Sequence, residues 1–184
     1  MAAAVGIFCA SSNLIDRRWL DLAHEVGVQL GRRGHTLVSG GGCVGMMGAV
    51  ADGARESGAR TLGVIPQSLV DLEVADTNAD ELIVTAAMAE RKTIMIDKAD
   101  AFVTLPGGLG TLDELFEVWT LATLALHEKP VVLLDQDGFY RGLVDWLDGL
   151  VAQRFVRPEA LALLRVARDV PSAFKILEEE TWTR

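Results

Sequence analysis

The sequence predicts an α/β protein: one open, doubly wound parallel sheet with helices on both faces, in a single domain spanning 1–184. Two observations carry this. Short apolar, β-branched runs recur with stretches of helical period between them. Those runs are apolar almost throughout, as strands covered on both faces must be, whereas a strand with one wet face alternates.

Taken in order, strands are expected at 5–10, 35–39, 60–65, 81–85, 101–105 and 130–134. The first helix is expected at 16–33, where Trp19, Leu22, Ala23, Val26 and Leu30 fall on one stripe and Gly34 supplies a stop. Helices at 45–57, 86–98 and 111–126 follow in the same role. From Phe139 onward the pattern gives two or three helices and a short strand at 164–170. Within 111–126 the run "LFEVWTLATLAL" is apolar around most of its circumference, more than one sheet face needs. Either the tail helices or a second subunit must cover it, and a symmetric homodimer is the expectation, twofold association being the commonest closed assembly.

Composition sets the functional bounds. A chain of 184 residues, 50% hydrophobic, has material for one substantial core. No run approaches the roughly 20 apolar residues that cross a bilayer, and the amino terminus lacks a secretory pattern, so a cytoplasmic location without a membrane partner is expected. A formal net charge of -9 disfavours nucleic acid, which requires a basic face. Cys9 and Cys43 fit no disulfide framework and read as buried reduced thiols. His24, His35 and His127 have no metal-ligand spacing, and no metal or organic cofactor is expected.

In such a sheet, ligands bind beyond the carboxyl ends of the strands, where strand order reverses. Three loops would meet there: "CASSN" with Ser11, "SGGGCVGMMG" with Gly40, Gly41, Gly42 and Gly45, and "PGGLGT" from Pro106 to Thr111. The second contains G-x-G-x-x-G, but a dinucleotide site needs an acid about 20 residues on, and 57–70 holds neither Asp nor Glu. Close helix–strand packing and a backbone that admits a nucleotide both remain open for it.

The third loop reads as a phosphate cradle. Glycines let successive N–H groups turn to one point, and the following helix adds unpaired donors and the positive end of its dipole. Gly108, Leu109, Gly110, Thr111, Leu112 and Asp113 make up this wall. No GK[ST] follows, which excludes a Walker loop. Glu114 has two readings. "TLDE" is a capping box with Thr111 as N-cap; alternatively the carboxylate faces the ligand's sugar, kept ionised by the dipole as a base or cation stabiliser. In "MAERK", Met88, Arg91, Lys92 and Met95 share a stripe, so two charges lie on an otherwise apolar face and either snorkel to solvent, pair with an acid or grip a phosphate.

With "PGGLGTLDE", the upstream "ERK", "GGGCVGMMG" and "CASSN", the chain resembles the Lonely Guy family of cytokinin riboside 5'-monophosphate phosphoribohydrolases, often labelled lysine decarboxylases. The resemblance covers roughly 5–134. It implies a Rossmann-like fold, a homodimer with sites near the subunit boundary, and hydrolysis of a nucleoside 5'-monophosphate, an N6-modified AMP, to free base and ribose 5-phosphate. It also implies catalytic roles for Arg91 and Glu114, nucleotide binding by Lys92 and the 108–111 loop, and substrate contacts from Glu73 and Thr120. Three positions depart from the family pattern: Ala89 and Asp76 stand where histidines are usual, and Ala10 where glycine is common. A lysine decarboxylase would need a lysine for pyridoxal phosphate, and Lys92 beside Arg91 looks instead like an anion clamp. A carrier of nucleotides or pterin cofactors on the same fold is the alternative to an enzyme.

Overall fold

A computed structural model describes residues 2–72 and 74–179. Seven strands form one sheet: β1 (Ala4–Phe8), β2 (Thr36–Ser39), β3 (Thr61–Pro66), β4 (Glu81–Thr85), β5 (Ala101–Thr104), β6 (Val131–Leu134) and β7 (Leu164–Ala167). Their spatial order is β4-β3-β2-β1-β5-β6-β7 and every pairing is parallel. The order reverses between β1 and β5, so a crevice opens at their carboxyl ends. This is the architecture the apolar runs predict, with the tail strand included.

The helices are α1 (Arg17–Arg32), α2 (Gly45–Glu56), the single turn α3 (Gln67–Val70), α4 (Met88–Lys98), α5 (Leu109–Thr123), α6 (Arg141–Ala152), α7 (Pro158–Ala162) and α8 (Val170–Glu179). Alternate strand residues feed two cores. Val5, Ile7, Val103 and Val132 point to the layer of α1, α2 and α8, whereas Phe8, Phe102, Val131 and Leu133 point to that of α4, α5 and α6. The Phe8 and Phe102 rings stack at 5.6 Å. Each such fully buried side chain contributes roughly 1.5–3 kcal/mol by leaving water. The predicted stripe of α1 is buried as expected, and Asp16 caps its start by accepting the Arg18 N–H at 3.0 Å.

Three local expectations change. The helix after the glycine loop begins at Leu109, with Gly108 as N-cap, two residues before Thr111. Thr111 therefore sits inside the first turn and caps nothing, because a Gly-Gly turn lets the chain enter helical geometry sooner than the capping-box letters suggest. Cys43 is exposed; only Cys9 is buried. The outer end of the apolar helix is partly covered by the tail, where Trp119 Nε1 donates to Ala160 O at 2.8 Å, while Leu124 and Leu126 beyond it stay exposed at 62% and 68%. Among the described residues no helix is long and apolar enough to cross a membrane, and no group of three or more His, Cys, Asp or Glu side chains could hold a metal ion.

Candidate active site at the strand-order reversal

A cavity of about 450 Å³ lies where the carboxyl ends of β1, β2 and β5 meet. One wall is the amino end of α5. The first intrahelical bond there runs from the Leu112 N–H to Gly108 O at 3.0 Å, so the amides of Leu109, Gly110 and Thr111 precede the helical ladder and have no partner within it. With no side-chain cap at Gly108, these donors and the positive dipole end remain available to an anion. Gly107 closes up this wall: a Cβ there would stand 2.1 Å from Thr111 Oγ1.

Opposite lies the loop after β2. Gly42 lines the cavity, whereas Gly41, at φ +70, is buried behind it against Ile65 and Val64. Ser11 and Ser12 form the rim from the first loop. Asn13 ties the two loops together by accepting the Gly45 N–H at 2.9 Å.

Arg91 enters from the first turns of α4 and is 7% exposed. Its Nε donates to Val64 O at 3.0 Å and its Nη2 to Gly40 O at 3.2 Å. Its Nη1 lies 3.2 Å from Glu114 Oε1. Two of its three nitrogens are thus spent on main-chain carbonyls, which fixes the guanidinium and turns the remaining nitrogen on Glu114. Gly40 is obligatory to this arrangement, because a Cβ there would lie 1.7 Å from Arg91 Nη2.

Glu114 projects from α5 into the same cavity and is 8% exposed. Burial raises its pKa to about 7, with Arg91 pulling the other way. The expectation that the dipole holds it ionised is therefore revised. Six residues into the helix the dipole is weak, and desolvation wins.

Lys92 also lines the cavity, but its Nζ is held by Asp113 Oδ2 at 3.0 Å and Glu117 Oε2 at 2.6 Å. Bonds to Glu117 and Asp113 raise its pKa, so it stays a cation whose charge is already balanced. Positive potential at the cradle therefore comes chiefly from main-chain amides, which is how a chain of net charge -9 can present an anion site.

The remaining expected residues separate. Leu112 turns away, packed against the core under α5. Thr120 is exposed further along α5 and outside the cavity. Glu73 lies outside the described residues. Asp76 is no cavity residue either: it is 5% exposed and its Oδ2 pairs with Arg55 Nη1 at 2.6 Å. The sequence reading sets Met88 beside Arg91 but missed the rest of the cavity's apolar part, Met47, Ile65 and Leu69. Cys9, expected as a buried reduced thiol, also lines the cavity; burial pushes its thiol pKa up, so the group is an inert neutral lining rather than a nucleophile. The doubled methionine in "GMMG" was the one available signal.

Known proteins resemble this chain along most of its length. The family described as "Possible lysine decarboxylase" matches residues 47–177. A cytokinin riboside 5'-monophosphate phosphoribohydrolase of Mycobacterium tuberculosis is 51% identical, over 93% of this chain and 91% of that protein. A protein of the same name from Arabidopsis thaliana is 40% identical over 94% and 81%. Among solved structures, the molybdenum cofactor carrier protein of Chlamydomonas reinhardtii superposes with a TM-score of 0.74 at 27% identity, covering 97% of this chain and 98% of that one. On the matched length and the identity to these relatives, the chain belongs to the Lonely Guy family, whose model carries the lysine decarboxylase description.

Proposed function

We propose that this chain hydrolyses the N-glycosidic bond of an N6-modified adenosine 5'-monophosphate, such as a cytokinin riboside 5'-monophosphate, to the free base and ribose 5-phosphate. The observation that carries the reading is the buried Arg91–Glu114 pair facing the open amides of α5 across one cavity. The names of the relatives at 51% and 40% identity support it.

In this reading the amides of Leu109, Gly110 and Thr111 hold the 5'-phosphate and so fix the ribose beside Glu114. As the bond from C1' to the purine nitrogen breaks, its electron pair leaves with the base and positive charge grows on the sugar. The Glu114 carboxylate stabilises that charge and takes a proton from the attacking water, whose hydroxyl ends on C1'; the departing base takes up a proton from solvent and Glu114 returns its own there, so one water is divided between sugar and base. Arg91 keeps the carboxylate aimed. Ser11, Gly42, Lys92, Gly108 and Asp113 complete the proposed nucleotide contacts, with Gly41 supporting the loop after β2 and Leu112 the base of α5; Glu73 and Thr120 are proposed as substrate contacts on the family resemblance alone. No metal, organic cofactor, nucleic acid or membrane belongs to this function.

We further propose that 1–184 acts as one nucleotide-binding domain, working in the cytoplasm as a homodimer. The exposed Leu124 and Leu126 favour the dimer, and sedimentation at working concentration tests it.

The likeness to a molybdenum cofactor carrier favours one competing reading, binding without turnover. Incubation with AMP and with isopentenyladenosine monophosphate, followed by chromatography, separates the two. Release of free base and ribose 5-phosphate is expected; binding of both nucleotides with neither consumed would leave the carrier.

A further inference from the structure

We infer that Tyr140 is a positioning residue for the phosphate cradle, holding through its phenol oxygen the short segment 105–107 from which the cradle springs. The inference rests on the proposed anion-binding role of the α5 amides and adds a residue from a part of the chain that lines none of the cavity.

Tyr140 is 3% exposed and stands immediately before α6. Its own N–H donates to Asp135 Oδ1 at 2.6 Å, which anchors it to the end of β6. The Phe139 ring meets it edge-on at 4.8 Å. From this fixed base the phenol reaches across to β5 and donates to Leu105 O at 2.8 Å. Burial pushes the phenol's pKa up, so it stays a neutral donor. The hydroxyl thus fixes the carbonyl from which the segment 105–107 starts.

The residue after Leu105 is proline, which has no N–H to give. Pro106 instead accepts the Ala10 N–H at 3.3 Å, and the Leu105 N–H donates to Phe8 O at 2.8 Å. The segment is therefore held on one side by β1 and the loop after it, and on the other by Tyr140. Gly108, next in the chain, is the N-cap of α5. Where residue 107 leaves the strand sets where the amides of Leu109, Gly110 and Thr111 point. A buried phenol can satisfy its hydroxyl at many places; here it satisfies it on the carbonyl that opens that exit.

The test compares three proteins by calorimetric titration with ribose 5-phosphate, alongside thermal unfolding: wild type, Tyr140→Phe and Leu147→Ala. Tyr140→Phe keeps the ring and removes the hydroxyl. Leu147, buried in the helix α6 that Tyr140 precedes, loses core packing without touching the segment. The expected result is about a tenfold loss of ribose 5-phosphate affinity in Tyr140→Phe, the size of one buried hydrogen bond. Leu147→Ala should bind as wild type although it unfolds at lower temperature. Wild-type affinity in Tyr140→Phe, or an equal loss in both variants, would overturn the positioning role. A wild-type protein that does not bind ribose 5-phosphate at all would instead overturn the cradle itself, and this inference with it.

Discussion

The Nη1 of Arg91 lies 3.2 Å from Oε1 of Glu114, and the other two guanidinium nitrogens are held by the carbonyls of Val64 and Gly40. The arginine is thus an immobile fixture, and the carboxylate is the group free to change its proton. That division predicts the pH behaviour. With a pKa of about 7, Glu114 is half protonated near neutrality, and only its ionised form can stabilise a sugar cation or accept a proton from water. For wild type, kcat/KM should climb as pH rises through about 7 and level off above it. Glu114→Gln should lower kcat by roughly 10²–10⁴-fold with nucleotide affinity kept, and should lose that limb. A profile flat from pH 5 to 9 would remove Glu114 from the chemistry.

The same shift has a thermodynamic consequence. A carboxyl whose folded pKa is raised binds its proton more tightly folded than unfolded, so folding is favoured at low pH and loses that advantage as pH rises. Between about 4.5 and about 7, Glu114 should make wild type progressively less stable, by no more than roughly 3 kcal/mol. Glu114→Gln has no such titration. Its stability relative to wild type should therefore improve from pH 5 to pH 8 in urea unfolding, whatever the constant cost of losing the Arg91 contact. A difference that stays level or moves the other way contradicts the raised pKa.

Gly40 offers a test of how sharply Arg91 is placed. A methyl group there would sit 1.7 Å from Nη2 and 2.8 Å from Cζ, so the guanidinium must move. Gly40→Ala should fold, yet lose about 10²-fold in kcat/KM, the usual cost of a displacement near 1 Å at a catalytic group. Retention of activity within threefold would show that Arg91 need not stay where it is.

Much of this was legible in the chain, for identifiable reasons. The sheet could be read because parallel strands buried on both faces leave uninterrupted apolar runs, and β1, β5 and β6 do so. Arg91 and Met95 are the buried residues of α4, as the stripe through Met88, Arg91, Lys92 and Met95 anticipates in part. What escaped was set by distance along the chain. Tyr140 reaches Leu105 across 35 residues, and Arg55 reaches Asp76 across 21; no spacing rule connects either pair. The start of α5 escaped for the opposite reason. The local letters "TLDE" imitate a cap so well that they conceal the earlier start the two glycines permit.

Thr104 closes β5 directly before the cradle, and its Oγ1 is a buried hydroxyl without a hydrogen-bond partner among the described residues. Burying such a group costs about 1–3 kcal/mol. Thr104→Val keeps the branched shape and removes the polar atom, so it should stabilise the protein by about 1 kcal/mol in chemical denaturation, with kcat unchanged. A loss of stability instead would mean that the hydroxyl has a partner in solution.

The departure at Asp76 has a structural answer that predicts its own energetics. Its Oδ2 accepts from Arg55 Nη1 at 2.6 Å, its Oδ1 accepts the Asn78 N–H at 3.1 Å, and its own N–H donates to Gly41 O at 2.8 Å. Beside it, Gly42 bridges Ala75 and the Cys43 N–H donates to Val74 O at 2.8 Å. The segment 74–76 is thus stitched along the glycine loop that walls the cavity, and the ion pair with α2 locks the stitch. Asp76→Ala should cost about 2–4 kcal/mol, softened because Arg55 keeps Asp52 at 2.6 Å. It should also raise KM for the nucleotide more than it lowers kcat, since Gly42 moves with the segment while the Arg91–Glu114 pair does not. A double-mutant cycle with Arg55→Ala should give a coupling of about 1–3 kcal/mol. Coupling near zero would demote the pair to a surface contact, and a KM unchanged in Asp76→Ala would separate this segment from the site.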